Sequence, residues 1–479
     1  MAIANHQLPL FVDLDGTLIK SDWMLEAILT MVRDNPFTIF QILIWLTKGR
    51  SNLKRHLAEA VIIDIALLPV NLEFLEFLKK EKHNRRELIL ISASDQKAVT
   101  AASDHYGLFD AAFGSDGTTN LKSEAKLARI REHAEGGSFS YAGNSSADLA
   151  VWQAADEIVV VNAERSIAIR AKSSNTQQRP LLEFDMPPAL LPRVFKAMRP
   201  HQWLKNFLIF LPLILSHRLG EADLLVLTGL AFISFSLCAS SVYFVNDMLD
   251  MESDRQHKSK SKRPFAAGAL PLAYGVFGAP LLFLLSLVFA SLVGAEFFAV
   301  LIGYWLITCL YSFYLKRFYL IDVVTLSLLY TLRIIAGSAA IEITTTDWLI
   351  AFSGFLFLGL ALLKRTIELR NLAVDGQVST QGRDYSTDRL LIVTVLGVMF
   401  SAASILVFIV YINAANITYL YDTPELLWAI CPLLTAMLAR VWLKAHAGTL
   451  DEDPVLFASH DRLSQIMLIL SGTILWLAI

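Results

Sequence analysis

Two kinds of hydrophobic spacing divide the chain. Up to about residue 163, short aliphatic runs (Leu8–Val12, Glu87–Ile91, Ser138–Tyr141, Ile158–Val161) alternate with stretches of helical period (Asn71–Lys82, Gln96–Tyr106, Ser123–His133). Strands separated by helices predict a parallel sheet covered by helices, an α/β Rossmann-like domain over residues 1–163. A helical insert, roughly Asp22–Leu68 within a cap region of about 20–85, falls between the first two runs. Its stretch Phe37–Leu46 is apolar but ten residues long, too short to cross a bilayer. A cap over an active site, touching the membrane, is the expected role.

Residues 164–192 break the pattern: Ser, Gln and Pro cluster without sustained period, which predicts a linker. From 193 to 479 nine apolar stretches approach spanning length, near 203–217, 224–246, 271–293, 297–315, 321–341, 348–363, 390–412, 425–443 and 463–479. An all-α, nine-helix transmembrane domain follows. Positive charge collects on alternate connections. Arg193, Lys196, Arg199 and Lys205 precede the first stretch, Arg255 to Arg263 follow the second, and Lys316 and Arg317 the fourth. Lys364 to Arg389 follow the sixth, and Arg440, Lys444 and Arg462 the eighth, whereas the other connections carry Arg218 alone. Cytosolic loops concentrate Lys and Arg. We therefore expect a multi-pass protein of a bacterial inner or plasma membrane, with its N-terminal domain in the cytosol.

Composition agrees with lipid as part of the solvent. Of 479 residues 55% are hydrophobic and 18% charged, against about 25% charged in soluble domains. The net charge of −3 does not bear on nucleic acid, no basic tail is present, and no nucleic-acid partner is expected. Cys238, Cys309 and Cys431 lie in apolar runs without metal or redox spacing, so no disulfide framework is implied. The N-terminus lacks a charged region followed by an apolar one, so no secretory signal is expected. Homo-oligomerisation is left open.

The first candidate chemistry is phosphoryl transfer. Asp13 and Asp15 follow a predicted strand two residues apart, so they can share one Mg²⁺ while one attacks phosphorus. Gly16 permits the tight turn that the pair needs. Ser92, at the end of the second run, can bond a phosphate oxygen, and Lys126 (with Lys122 as the alternative) can neutralise charge. Asn144 and Asp148 follow another strand and could complete a metal shell. This ordered set resembles the haloacid dehalogenase (HAD) superfamily of phosphatases over about 160 residues. The resemblance implies Asp13 as nucleophile and Asp15 as general acid/base. The family usually has Asp where Asn144 stands, and a neutral amide is the weaker Mg²⁺ ligand.

The second candidate lies at the end of the second apolar stretch. Asn246, Asp247, Asp250 and Asp254 place three carboxylates at i, i+3 and i+7, on one face of a helix. Such acids repel unless a cation sits among them, and Mg²⁺ prefers oxygen ligands plus substrate phosphates. The motif resembles the signature of the UbiA superfamily of intramembrane transferases, over roughly 195–479. The resemblance implies a Mg²⁺-bound diphosphate leaving group. Members usually carry a second aspartate-rich motif after helix six; here that region offers Lys364, Arg365 and Arg370, then Arg383 and Tyr385. Arg333, about twelve residues into helix five, is a costly intramembrane cation. Together these suggest a phosphate pocket, since arginine binds phosphate bidentately.

One branch resembles this chain in Arg199 to Asn206, Lys262 to Gly268, Thr331 to Gly337 and Lys364 to Glu368: the decaprenyl-phosphate phosphoribosyltransferases. This implies phosphoribosyl pyrophosphate as donor and polyprenyl phosphate as acceptor. Lys205, Asn206, Arg263, Arg333, Lys364, Arg365, Arg383 and Tyr385 become candidate substrate contacts. The HAD domain would then remove the 5-phosphate of the product. The alternative is prenyl transfer to an aromatic acceptor, with the HAD domain acting on an unrelated ester.

Overall fold

The computed structural model describes residues 8–116, 120–175, 179–185, 187–374, 376, 384–414, 417–450 and 454–479. The chain forms two compact units, Met1–Met198 with Tyr243–Ala279, and Arg199–Val242 with Pro280–Ile479.

The first unit is built on a six-stranded sheet: β1 (Leu10–Val12), β2 (Leu88–Asp95), β3 (Ala111–Ser115), β4 (Ser140–Gly143), β5 (Glu157–Val161) and β6 (Leu181–Phe184). The order is β3-β2-β1-β4-β5-β6, and every pairing is parallel. Strands buried on both faces read as unbroken apolar runs, as Leu10, Phe11 and Val12 do. Leu10, Val12, Leu88, Leu90, Val159 and Val161 meet Phe74 and Leu78 on one face. Phe11, Ile89, Ile91, Tyr141, Ile158 and Val160 meet Ile130 and Trp152 on the other.

The two strands that the spacing does not predict are the two edges. β3 reads Ala-Ala-Phe-Gly-Ser and lacks β-branched residues; β6 is four residues long and lies within the segment expected to be linker. That segment, 164–192, instead carries the helix Arg165–Ser174, the strand β6 and the start of the helix Leu190–Ala197. β6 pairs with β5 from Ile158↔Leu181 to Val161↔Phe184, so backbone bonding to an existing strand organises a sequence with weak intrinsic preference.

The insert after β1 is helical as expected: Trp23–Asp34, Thr38–Thr47 and Arg50–Ala60. Asp22 caps the first helix by accepting from the Leu25 amide. Trp23, Ala27, Ile42, Leu53 and Leu57 join the insert to the sheet's core. Segment 243–279 belongs to the same unit. There Arg255 pairs with Glu26 and Arg33 with Glu252. Gly268 (φ +64°) lies so close that an added Cβ would meet Lys20 Cβ at 2.6 Å.

Among the described residues seven helices are long and apolar enough to cross a membrane: Ala222–Leu249, Leu272–Val293, Ala295–Phe313, Ile321–Ala340, Asp347–Val374, Thr387–Ile412 and Pro424–Ala447. The protein is an integral membrane protein. The other two expected stretches take different forms. Residues 203–217 fall in a 3₁₀ helix, Pro200–Phe210, and a five-residue α-helix, Leu211–Leu215. Residues 463–479 form a 17-residue helix, Arg462–Ala478, about 25 Å long against a hydrocarbon core of about 30 Å. Within the second unit Phe235, Phe297, Leu301, Tyr304 and Leu329 pack together. Tyr330 and Phe357 stack at 4.9 Å between centroids.

Candidate active sites

The first site opens where β1 ends. Asp13 is buried, and Lys126 Nζ donates to its Oδ1 at 2.9 Å. Lys126, from the helix Glu124–His133, also donates to the Tyr141 hydroxyl at 2.9 Å, and that hydroxyl donates to Asp148 Oδ1 at 2.6 Å. Of the two lysines considered, the fold brings in Lys126; Lys122 is exposed. The far oxygen of Asp148 accepts from the Asn144 amide (3.1 Å) and from the Ser145 amide and hydroxyl (both 2.9 Å). Expected as a metal ligand, Asp148 is instead taken up in holding Lys126, Tyr141 and the loop after β4. The spacing of Asn144 and Asp148 does not reveal this; the bonding of the turn does.

Asp15 faces other partners. Its Oδ2 accepts from Ser92 Oγ (3.0 Å) and Ser94 Oγ (2.5 Å), and its Oδ1 accepts from the Trp23 amide (2.8 Å), the first of the cap. Ser92, expected on phosphate, thus points at the acid that would work beside it. Gly16 has φ +76°, and an added Cβ would meet Asn144 Nδ2 at 2.1 Å, so the turn and the neighbouring loop both exclude a side chain. Tyr141, Ser94 and Lys54 escaped the sequence reading. Tyr141 looks like a strand residue of the core, and Lys54 lies in the cap, where only folding brings it to the carbonyl of Ala93 and to within 3.5 Å of Asn120 Oδ1.

Burial dominates the electrostatics here. It pushes Asp13 up to about 7, against the Lys126 ammonium, with Asp148 and Asp15 adding to the rise. Burial and Asp15 together push Asp22 up to about 6. Asp148 is also desolvated, yet Lys126, Tyr141 and Ser145 outweigh this and hold it below the usual carboxylate range. Burial lowers Lys54, although Asp15 and Asp22 oppose the drop.

The second site begins where the span Ala222–Leu249 stops. Asp250 interrupts the helix, which resumes as Met251–Gln256. Helical backbone bonds nevertheless run across this turn, Asp250 N–H to the Asn246 carbonyl at 2.9 Å and Asp254 N–H to the Asp250 carbonyl at 2.8 Å, and Arg263 joins two of the acids. Its Nη1 lies 2.6 Å from Asp254 Oδ2 and 3.4 Å from Asp247 Oδ1, and both acids are buried. Burial raises Asp254 above the usual carboxylate range despite Arg263. Asn246 Oδ1 is buried without a hydrogen-bond partner, the kind of oxygen that a bound group must satisfy.

No three His, Cys, Asp or Glu side chains among the described residues form a ready-made metal shell. Mg²⁺ keeps several waters and commonly takes one or two carboxylates plus substrate phosphates. Hard oxygen donors of this number are present at both sites: Asp247, Asp254 and the orphaned Asn246 oxygen at one, Asp13 with Asp15 and Asn144 nearby at the other.

The basic candidates in the second unit have protein partners. Arg333 is buried, giving Nε to Asn206 Oδ1 (2.9 Å), Nη2 to the Tyr304 hydroxyl (2.9 Å) and Nη1 to the Leu329 carbonyl (2.6 Å). Asn206 in turn donates to Ser236 Oγ at 3.0 Å. Arg365, also buried, holds Asp322 Oδ2 through Nε at 2.7 Å and pairs with Glu368. Tyr385 donates to Asp322 Oδ1 at 2.5 Å. Expected as open phosphate contacts, Arg333 and Arg365 are instead woven into the helix packing. Leu329 and Glu368 are within helical reach of these arginines, whereas Asn206, Tyr304 and Asp322 come from distant segments that spacing cannot show. Lys205 lies 5.7 Å from the centre of the Tyr330 ring, Lys364 is half-buried, and Arg383 falls outside the described residues.

The sequence model of the UbiA prenyltransferase family matches residues 207–467. The chain belongs to this family. An uncharacterized protein of Sinorhizobium fredii is 33% identical over 462 residues, 96% of this chain and 89% of that one. Nodulation protein NoeC of Azorhizobium caulinodans is 32% identical over 274 residues, 57% of this chain and 89% of that protein. Decaprenyl-phosphate phosphoribosyltransferase of Mycobacterium tuberculosis is 37% identical over 190 residues of the C-terminal part, 38% of this chain and 62% of that enzyme. Among solved structures, a UbiA homolog from Archaeoglobus fulgidus bound to GPP and Mg²⁺ is 17% identical over 60% of this chain and 98% of its own, with a TM-score of 0.44. A phospho-aspartyl intermediate analogue of phosphoserine phosphatase is 16% identical over 37% of this chain and 96% of its own, with a TM-score of 0.26.

Proposed function

We propose that this UbiA-family enzyme transfers phosphoribosyl from phosphoribosyl pyrophosphate to a polyprenyl phosphate, and that its N-terminal unit removes the 5-phosphate of the product. One observation carries the reading: Asp247 and Asp254 gathered about Arg263, beside the unsatisfied Asn246 oxygen, at the end of a membrane span. Such a group suits the Mg²⁺ of a diphosphate leaving group, and the name of the decaprenyl-phosphate phosphoribosyltransferase relatives supports a phosphoribosyl group transferred to a polyprenyl phosphate. The charge asymmetry of the connections supports a cytosolic position for this end of the span, in a bacterial plasma membrane.

In the transfer, a lipid phosphate oxygen attacks C1 of the ribose while the bond from C1 to the diphosphate oxygen breaks. No general base is needed, because the attacking oxygen is already anionic. Asp247, Asp254 and the Asn246 oxygen, with Asp250, would hold a Mg²⁺ ion that neutralises the departing diphosphate, and Arg263 lies beside them. In the hydrolysis, an Asp13 oxygen attacks the 5-phosphate, and Asp15 gives a proton to the departing ribose oxygen. Water then attacks the aspartyl phosphate as Asp15 takes the proton back. Lys126 neutralises charge on Asp13 and the phosphoryl group. Mg²⁺, held by Asp247 and Asp254 at one site and by Asp13 at the other, would supply charge neutralisation at phosphate.

The test is to feed labelled phosphoribosyl pyrophosphate and polyprenyl phosphate to membranes containing the protein. A ribosylated lipid is expected; its absence, with a prenylated aromatic product instead, favours the alternative that the family description also allows. The Asp13→Asn variant should accumulate the phosphorylated ribosyl lipid. Phosphate release equal to that of the unaltered protein would remove the second half of the proposal.

A further inference from the structure

Two short helices of the first unit turn apolar side chains to solvent. On Thr38–Thr47 and the residue before it, Phe37 is 70% exposed, Phe40 64% and Ile44 58%, with Leu43 and Leu46 exposed beside them. On Leu190–Ala197, Leu191 is 80% exposed, and Phe195 follows it one turn later. Side chains of this size, concentrated on two short helices, mark an interaction surface.

Both helices are tied to the chain where it meets a membrane span. Arg33, five residues before Thr38, pairs with Glu252, three residues past the end of Ala222–Leu249. Arg193, within the other helix, gives Nη1 to the carbonyl of Ala269 at 2.8 Å, three residues before Leu272–Val293 begins. A bilayer that takes up these spans would have its surface close to both points of attachment. Lys48 and Arg50 follow the first helix and Lys196 lies on the second, all exposed, as suits an interface with acidic headgroups.

From this geometry we infer that Thr38–Thr47 and Leu190–Ala197 are interfacial helices that seat the first unit on a phospholipid bilayer. The contact stands apart from the proposed function. If that function holds, its consequence is that the phosphatase mouth stays beside a lipid-borne product.

The test places a spin label at Phe40→Cys or Leu191→Cys in the full chain, with Cys238, Cys309 and Cys431 changed to alanine. Glu132→Cys, on a surface helix, is the control. In nanodiscs containing acidic phospholipid, labels at 40 and 191 should collide more with oxygen than with a water-soluble nickel chelate, whereas the label at 132 shows the reverse. Equal exposure of all three positions to the chelate overturns the inference. Shielding that persists in dilute detergent and grows with protein concentration also overturns it, because a second copy then covers the face. Neither outcome depends on any enzymatic assay.

Discussion

Asp13 shows what one residue's surroundings decide. Burial pushes it up to about 7, so at neutral pH it welcomes positive charge and depends on Lys126 for it. On the proposed function, Asp13→Asn should lower phosphate release at least about a thousandfold, because it removes the proposed nucleophile. Tyr141→Phe removes the hydroxyl between Lys126 and Asp148. It should destabilise the first unit by about 1–3 kcal/mol, read as a lower melting temperature, with phosphatase kcat falling as well. Asp22 offers a pH test. Its folded pKa of about 6 exceeds its ordinary 3.8, so between these values the folded state binds more protons than the unfolded one. Stability therefore falls as pH rises through that window and is regained on acidification. Asp22→Asn keeps an acceptor for the Leu25 amide and removes the charge. It should flatten this dependence and stabilise the first unit above pH 6 by up to about 3 kcal/mol, read from melting temperatures at pH 5 and pH 7.5.

At the scale of elements, the start of the cap is fixed by polar bonds. The Trp23 amide binds Asp15, and Glu26 receives Ser21 and Arg255. Glu26 is buried and Arg255 is half-buried against it, so Arg255→Ala leaves an uncompensated carboxylate, at a cost of about 3–5 kcal/mol. A double-mutant cycle with Glu26→Gln, followed by thermal unfolding, should return most of that loss as coupling energy; additive effects would show that the pair contributes nothing. The strands differ in how far they could be foreseen. β1, β2, β4 and β5 are apolar enough to announce themselves, whereas β3 and β6 become strands because a neighbour already offers its free edge. The helix Ala222–Leu249 was plain from its apolar length, but the irregular turn at Asp250 (φ −93°, ψ 5°) was not, because nothing in Asp-Met-Glu forbids a regular helix.

For the whole molecule, the sequence by itself determined the division into a parallel α/β part and an apolar helical part, together with seven of the nine expected spans. It also yielded the acids that open each candidate site. These features rest on local quantities: the period of apolar positions, the length of apolar runs, and the spacing of like charges. Tertiary structure alone decided which polar groups meet. It chose Lys126 over Lys122, set Tyr141 between a cation and an acid, and turned Ser92 toward Asp15. It gave Arg333 to Asn206 and Tyr304, and Arg365 to Asp322. A buried charge must find its counterpart wherever the fold brings one, and the partner's distance along the chain (127 residues from Arg333 to Asn206) leaves no local trace.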